Sequence, residues 1–279
     1  MLLQITAIVL TLLIGLCVGS FLNVVIYRLP KQMSFVKPAS HCPTCDYKLK
    51  WYDNIPLLSY IFLGGKCRNC HSKISIRYPL VEFINMVLWF LALMLNTNFI
   101  ISSITTNYLM FALTCVAFST LLCVFCCDLD NMEIPDEFQL LLLIVGIAGL
   151  LSTNISASSK VYGFLLGGGF FGTVALLFYL IRKKEGLGMG DVKLMAVLGL
   201  FLGLQNTIIC IILSTISGAI VLSILSIKNR KGEKNKEYPF ATFIVPCAII
   251  SALVGNYIAN WYLSLFGIVW TNLFMLPKI

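Results

Sequence analysis

The amino-acid sequence predicts an all-α polytopic membrane protein of about eight transmembrane helices, with a small zinc-ribbon-like module between helices 1 and 2. Three observations predict it. Of the 279 residues, 59% are apolar and 11% charged, a balance that suits a chain meeting lipid over most of its surface. Apolar runs close to the ~20 residues needed to cross a bilayer recur along the chain, bounded by charge, Pro or polar clusters. Eighteen of the 20 Lys and Arg fall in three segments, 28–77, 182–193 and 228–236.

The runs extend approximately over Leu2 to Tyr27, Pro79 to Leu95, Tyr108 to Cys127, Ile134 to Leu151, Val161 to Ile181, Val192 to Leu204, Thr207 to Ile227 and Phe240 to Asn260. The sixth is short, the expected form of a tilted or re-entrant piece, and the aromatic tail from Trp261 to Ile279 suits an interface. The first run lacks a basic start and a small-residue cleavage site, so it reads as a span and not as a cleavable signal. With eight spans and the N-terminus outside, all three basic segments lie on one side, which the retention of short basic loops makes cytoplasmic. A net charge of +8 gathered on one soluble face would suggest nucleic acid. Here the charge is divided among loops, and no nucleic-acid partner is expected; the lipid membrane is.

The one long polar stretch contains Cys42-Pro43-Thr44-Cys45 and Cys67-Arg68-Asn69-Cys70, with 21 residues between the pairs. Each C-x-x-C offers two thiolates on one tight turn, and two such turns supply the tetrahedral sulfur cage that zinc favours. Two disulfides are the alternative, disfavoured in a reducing cytoplasm. So short a loop builds little hydrophobic core, which gives a metal staple a structural purpose. His41 and His71 are read as polar flanks, since four Cys complete the site. Cys17, Cys115, Cys123, Cys126, Cys127, Cys210 and Cys247 lie in apolar runs, where Cys acts as a small hydrophobe.

Acidic residues beside apolar helices are costly and are functional candidates by default. The segment Asp128-Leu129-Asp130-Asn131-Met132-Glu133-Ile134-Pro135-Asp136 joins spans three and four, and Gly188-Met189-Gly190-Asp191 opens span six. Peptide hydrolysis by paired carboxylates needs one ionised group to take a proton from water and one protonated group to hydrogen-bond the scissile carbonyl. Gly188 and Gly190 loosen the helix start and admit an extended substrate. Gly163, Gly167, Gly168, Gly169 and Gly172 read as a packing face of span five. Glu82, placed in the first turn after Pro79, complements a helix N-terminus.

Taken in order, these elements resemble the bacterial type IV prepilin peptidases, the bifunctional leader peptidases and N-methyltransferases of pilus and type II secretion systems. The resemblance rests on Gly19-Ser20-Phe21-Leu22-Asn23-Val24-Val25-Ile26-Tyr27-Arg28-Leu29-Pro30, the Cys pairs with Trp51-Tyr52-Asp53-Asn54-Ile55-Pro56-Leu57-Leu58-Ser59-Tyr60 between them, Arg77-Tyr78-Pro79-Leu80-Val81-Glu82, and both aspartate segments. It implies catalytic Asp128 and Asp191, with Asp130, Asp136, Gly188 and Gly190 accessory. Asn131 stands where many members have His. It also implies structural zinc on Cys42, Cys45, Cys67 and Cys70, S-adenosylmethionine as methyl donor, prepilin or pseudopilin substrates, and residence in the bacterial cytoplasmic membrane. No Rossmann-like glycine signature marks the donor site, for which Arg77 and Glu82 are the candidates. The implied division is a first helix at 1–27, a zinc-binding and methyltransferase-associated region at 28–78, and a membrane-embedded peptidase at 79–279.

Three rival readings differ on visible features. A presenilin- or signal-peptide-peptidase-like protease shares Gly-x-Gly-Asp but not the Cys module after span one. A proton-coupled transporter would show repeated halves with broken helices, and no repeat is found. A zinc-bearing scaffold leaves the paired acidic loops unexplained.

Overall fold

In lipid, every backbone N–H and C=O must find a partner within the protein, and a single long apolar run satisfies its own by becoming a helix. A computed structural model of the chain describes residues 2–96, 108–151, 155–183, 187–228 and 238–265, which form helices and no strands. The helices are α1 (Leu2–Arg28), α2 (Leu58–Phe62), α3 (Arg77–Asn96), α4 (Tyr108–Asn131), α5 (Asp136–Ala148), α6 (Ala157–Arg182), α7 (Met189–Lys228) and α8 (Ala241–Ser264). Two 3-10 turns lie at Trp51–Asn54 and Gly149–Leu151.

Six of these helices, α1, α3, α4, α6, α7 and α8, are long and apolar enough to cross a membrane. The expected fourth span is the 13-residue α5, and the expected sixth and seventh lie within the 40-residue α7. The aromatic tail beyond Leu265 and the basic residues at 229–237 fall outside the described residues.

The helix α7 is broken at Gly203, whose φ of 77° and ψ of 167° are not helical. Its contacts show that the break turns the chain back. In the first leg, Met195 and Gly199 pack against Gly167 and Gly163 of α6. In the second, Asn206 lies against Gly255 while Gly218 lies against Phe240 and Phe243, so this leg runs antiparallel to α8. A straight helix would separate Asp191 from Gly218 by about 40 Å. Yet α8 starts at a carboxylate that shares a cleft with Asp191, so the second leg returns toward the end where the first began. Positive φ at Gly203 avoids the penalty that a side chain would meet there. Ser159 Oγ accepts from the Leu204 N–H at 3.1 Å and satisfies a donor that the break exposes.

The chain forms two compact units, Met1–Cys123 and Val124–Ile279. In the first, α1 packs on α3 where small residues let backbones approach, Gly15 against Met86 and Trp89, and Gly19 against Glu82. A polar chain runs through this contact: Asn85 Nδ2 donates to Gly15 O at 2.7 Å, Ser119 Oγ to Asn85 Oδ1 at 2.8 Å and Trp89 Nε1 to Ser119 Oγ at 2.9 Å. Such bonds are worth roughly 0.6–2 kcal/mol each between membrane helices and fix the helix register.

In the second unit, Gly163, Gly167 and Gly168 of α6 meet α7 closely, whereas Gly169 faces open space and Gly172 makes only ordinary contact with Val192. The expected packing face therefore comprises three of those five glycines. Helix α6 begins at Ala157, earlier than Val161, because the Ser156 side chain accepts from the Ser159 N–H and caps it. Lys160 is thus inside the first turn, fully buried, and its ammonium donates to Gly149 O just past the end of α5.

Candidate active site and metal centre

The first unit carries the four cysteines. The two C-x-x-C segments fold alike: Cys42 N–H donates to Tyr47 O at 3.0 Å and Cys67 N–H to Ser72 O at 2.9 Å, while Asp46 N–H donates to Cys42 O and His71 N–H to Cys67 O. Asp46 and His71 take matching positive φ values of 54° and 58°, the corner that turns each knuckle. All four Sγ atoms lie within 4.8 Å of one another. The closest pairs, Cys42–Cys70 at 3.8 Å and Cys45–Cys67 at 4.0 Å, match the ~3.8 Å edge of a tetrahedron with ~2.3 Å metal–sulfur bonds.

The thiols respond unevenly. A hydrogen bond from the Thr44 backbone leads in drawing Cys42 down to about 6. At Cys45, hydrogen bonds from the Tyr47 backbone and Asn69 pull downward, but desolvation and the Cys70 and Cys42 thiols outweigh them and push it up to about 11. One thiolate opposes the next unless a cation is shared, so the donor set fits a divalent metal. His41 and His71 contribute no ligand atom to the cluster.

Asp53 ties the two knuckles together. Its buried carboxylate accepts from Arg68 Nε at 2.8 Å, the Lys50 N–H at 3.2 Å and Tyr47 Oη at 3.4 Å. Glu82 departs from its expected place, because α3 starts at Arg77 and not at Pro79, which carries Glu82 past the first turn. Its Oε2 instead accepts from the Leu57 N–H at 2.8 Å, gripping the residue just before α2, which stands at φ 59°. Arg77 sits at the first position of α3, with its backbone N–H on Ser75 Oγ at 3.3 Å.

The second unit carries the carboxylates. Asp128 lies in the last turn of α4, which continues through Asn131, so it belongs to a helix and not to the connecting loop. Asp191 lies in the first turn of α7. Both are buried, at 4% and 8% exposure, yet both line one cleft of about 340 Å³ with Met132, Glu133, Ile134, Asp136, Gly188, Gly190 and Lys193.

Asp128 Oδ2 accepts from the Thr242 N–H at 3.1 Å, at the N-terminus of α8. The sequence offered no sign of this partner, because a backbone donor has no residue type. Helix N-termini favour negative charge by roughly 0.3–2 kcal/mol. No described residue donates to the Asp191 carboxyl, though its own helix start is similarly favourable.

The accessory candidates separate. Asp136 rims the cleft and pairs with Lys193 at 2.9 Å, an exposed bridge of little energetic weight. Asp130 is exposed on the last turn of α4 and does not line the cleft. Gly188 and Gly190 line it, and a Cβ on either would meet its neighbours at no less than 3.5 Å. Neither glycine is demanded by internal packing, so the space they leave opens on the cleft. Gln139 was not anticipated; its Nε2 donates to Gly190 O at 3.3 Å and holds this segment against α5.

Comparison with known proteins places these features in a family. A profile described as Bacterial Peptidase A24 N-terminal domain matches residues 13–96, and one described as Type IV leader peptidase family matches residues 115–223. The prepilin leader peptidase/N-methyltransferase of Pseudomonas aeruginosa is 34% identical over 281 positions, covering 92% of this chain and 93% of the relative. That of Aeromonas salmonicida is 33% identical over 284 positions, covering 91% and 93%, and that of Neisseria gonorrhoeae 29% over 286, covering 92% and 95%. No solved structure matches the chain.

Proposed function

Because the chain belongs to the prepilin leader peptidase/N-methyltransferase family, we propose that it removes the leader of a type IV prepilin or pseudopilin and methylates the new N-terminus. The observation that carries the proteolytic half is the single cleft lined by Asp128 and Asp191. Asp128, held by the Thr242 N–H at the start of α8, is the ionised base that takes a proton from water. Asp191, buried beside it without a donor among the described residues, is the protonated acid that polarises the scissile carbonyl. Gly188 and Gly190 leave room for an extended chain, and Asp130 and Asp136 are accessory. We assign this chemistry to the region 79–279 and donor-associated functions to 28–78, in a multi-pass protein of the bacterial cytoplasmic membrane with its N-terminus outside. The test is purified protein with a leader-bearing prepilin in detergent, the cut end read by mass spectrometry. An uncut prepilin, or a cut elsewhere than at the leader junction, defeats the reading.

Zinc is the metal proposed for Cys42, Cys45, Cys67 and Cys70, because four sulfur donors at tetrahedral spacing suit it best. When bound, it neutralises the thiolates and staples the two knuckles. Elemental analysis is expected to find one zinc per chain, and Cys42→Ser or Cys67→Ser to lose it and make the 28–77 loop protease-sensitive. Metal-free protein with an intact loop would contradict this.

S-adenosylmethionine is the methyl donor proposed. Glu82 is engaged by Leu57, so its contribution to donor binding runs through the position of the loop it grips. Methyl transfer needs a sulfonium donor and a free amine held in line, with little acid–base help, since a terminal amine titrates at roughly 7.7–8.0. Asp191→Asn is accordingly expected to methylate a pre-cleaved peptide from labelled donor. A folded Asp191→Asn protein that cannot do so would mean that both reactions use this carboxylate.

A further inference from the structure

Apolar side chains exposed on the long spans face lipid, but the loop between α1 and α3 exposes others that this does not explain. Phe62 is 83% exposed, Trp51 79%, Ile61 68% and Leu58 51%. Leu58, Ile61 and Phe62 stand at i, i+3 and i+4 on one face of α2, and the 3-10 turn bearing the equally exposed Trp51 lies next to α2. This face lies outside the apolar spans and has no partner among the described residues.

Two observations identify what covers it. The first is position. Glu82 lies five residues into a membrane helix, about 7.5 Å along its axis, and it grips the N–H of Leu57, the residue directly before α2. The helix α2 is therefore held at the level where α3 enters the bilayer. The second is charge. Between Lys31 and Lys73 the loop has seven Lys and Arg against two acids, and one of those acids, Asp53, is buried on Arg68. Lys50 and Lys66 flank the apolar face in sequence and are exposed. An apolar face with basic flanks at bilayer level is the pattern of an interfacial element on anionic lipid.

We propose that α2 and Trp51 form a membrane-docking surface that seats the four-cysteine module on anionic phospholipid headgroups. Trp51, Ile61 and Phe62 enter the headgroup–acyl boundary, and Lys50 and Lys66 meet lipid phosphate. The module is then fixed at both its ends and its middle, which sets the height above the bilayer at which its metal cage sits.

The test uses the full-length protein in vesicles of phosphatidylethanolamine with phosphatidylglycerol, or of phosphatidylcholine alone. The Trp51 signal is the difference in fluorescence between wild type and Trp51→Phe. In phosphatidylglycerol vesicles this signal is expected to shift blue, to be shielded from aqueous iodide and to lose most of its intensity to lipids brominated near the glycerol. Lys50→Glu with Lys66→Glu, or Ile61→Ser with Phe62→Ser, should reduce that quenching while the metal content is kept. A Trp51 signal untouched by brominated lipid overturns the proposal: open to iodide, the face is simply bare; shielded from iodide, a protein surface covers it.

Discussion

Asp128→Asn and Asp191→Asn are each expected to abolish prepilin cleavage, a loss at or beyond the ~10²–10⁴-fold that positioned acid–base groups contribute. Asparagine preserves shape. At position 128 its Oδ1 still accepts from the Thr242 N–H, so α8 keeps its N-terminal contact and the protein stays monodisperse in detergent. What is lost is the charge that the proposed dyad uses to accept a proton from water. At position 191 the amide keeps a donor but cannot release or regain a proton within the cleft. Asp128→Ala removes the acceptor as well and should lower stability by about 0.5–2 kcal/mol, the usual loss when a helix N-terminus is uncapped. Asp130→Asn should be mild, since that side chain stands outside the cleft. Near-normal cleavage by either 128 or 191 asparagine variant would remove it from the dyad.

The parts of this site that were legible are those with a residue type at fixed spacing. The four Cys announce their knuckles because a metal cage needs thiols in pairs, and the carboxylates stand out because acids beside apolar runs are rare. The Thr242 N–H that holds Asp128 was illegible, since every residue but Pro supplies a backbone donor and 114 positions separate the two. Glu82 was misplaced for a related reason: an acid shortly after Pro79 looks like a helix-start residue until the two preceding residues, Arg77 and Tyr78, prove to be helical. The shortness of the sixth run is visible in the sequence, but the break in α7 that ends it, positive φ at Gly203, is a backbone state that the sequence permits without requiring.

The glycines of α6 give the second large effect. Five Gly in one apolar helix look equivalent in sequence, yet their surroundings divide them sharply. A Cβ on Gly167 would overlap the Met195 carbonyl, and one on Gly199 of α7 would overlap the Gly163 carbonyl, so backbone meets backbone with no flexible side chain to yield. A Cβ on Gly169 would meet nothing within 4 Å. Gly167→Val and Gly199→Val must therefore drive α6 and α7 apart, at or beyond the ~3 kcal/mol upper range of ordinary overpacking, whereas Gly169→Val is tolerated. The displaced leg of α7 carries Asp191 in its first turn, so cleavage should fall together with stability. Thermal unfolding in one detergent, with cleavage measured on the monodisperse fraction, separates the cases. If Gly167→Val melts and cleaves like Gly169→Val, the α6–α7 contact does not hold Asp191 in place, and the dyad must owe its geometry to α4, α5 and α8.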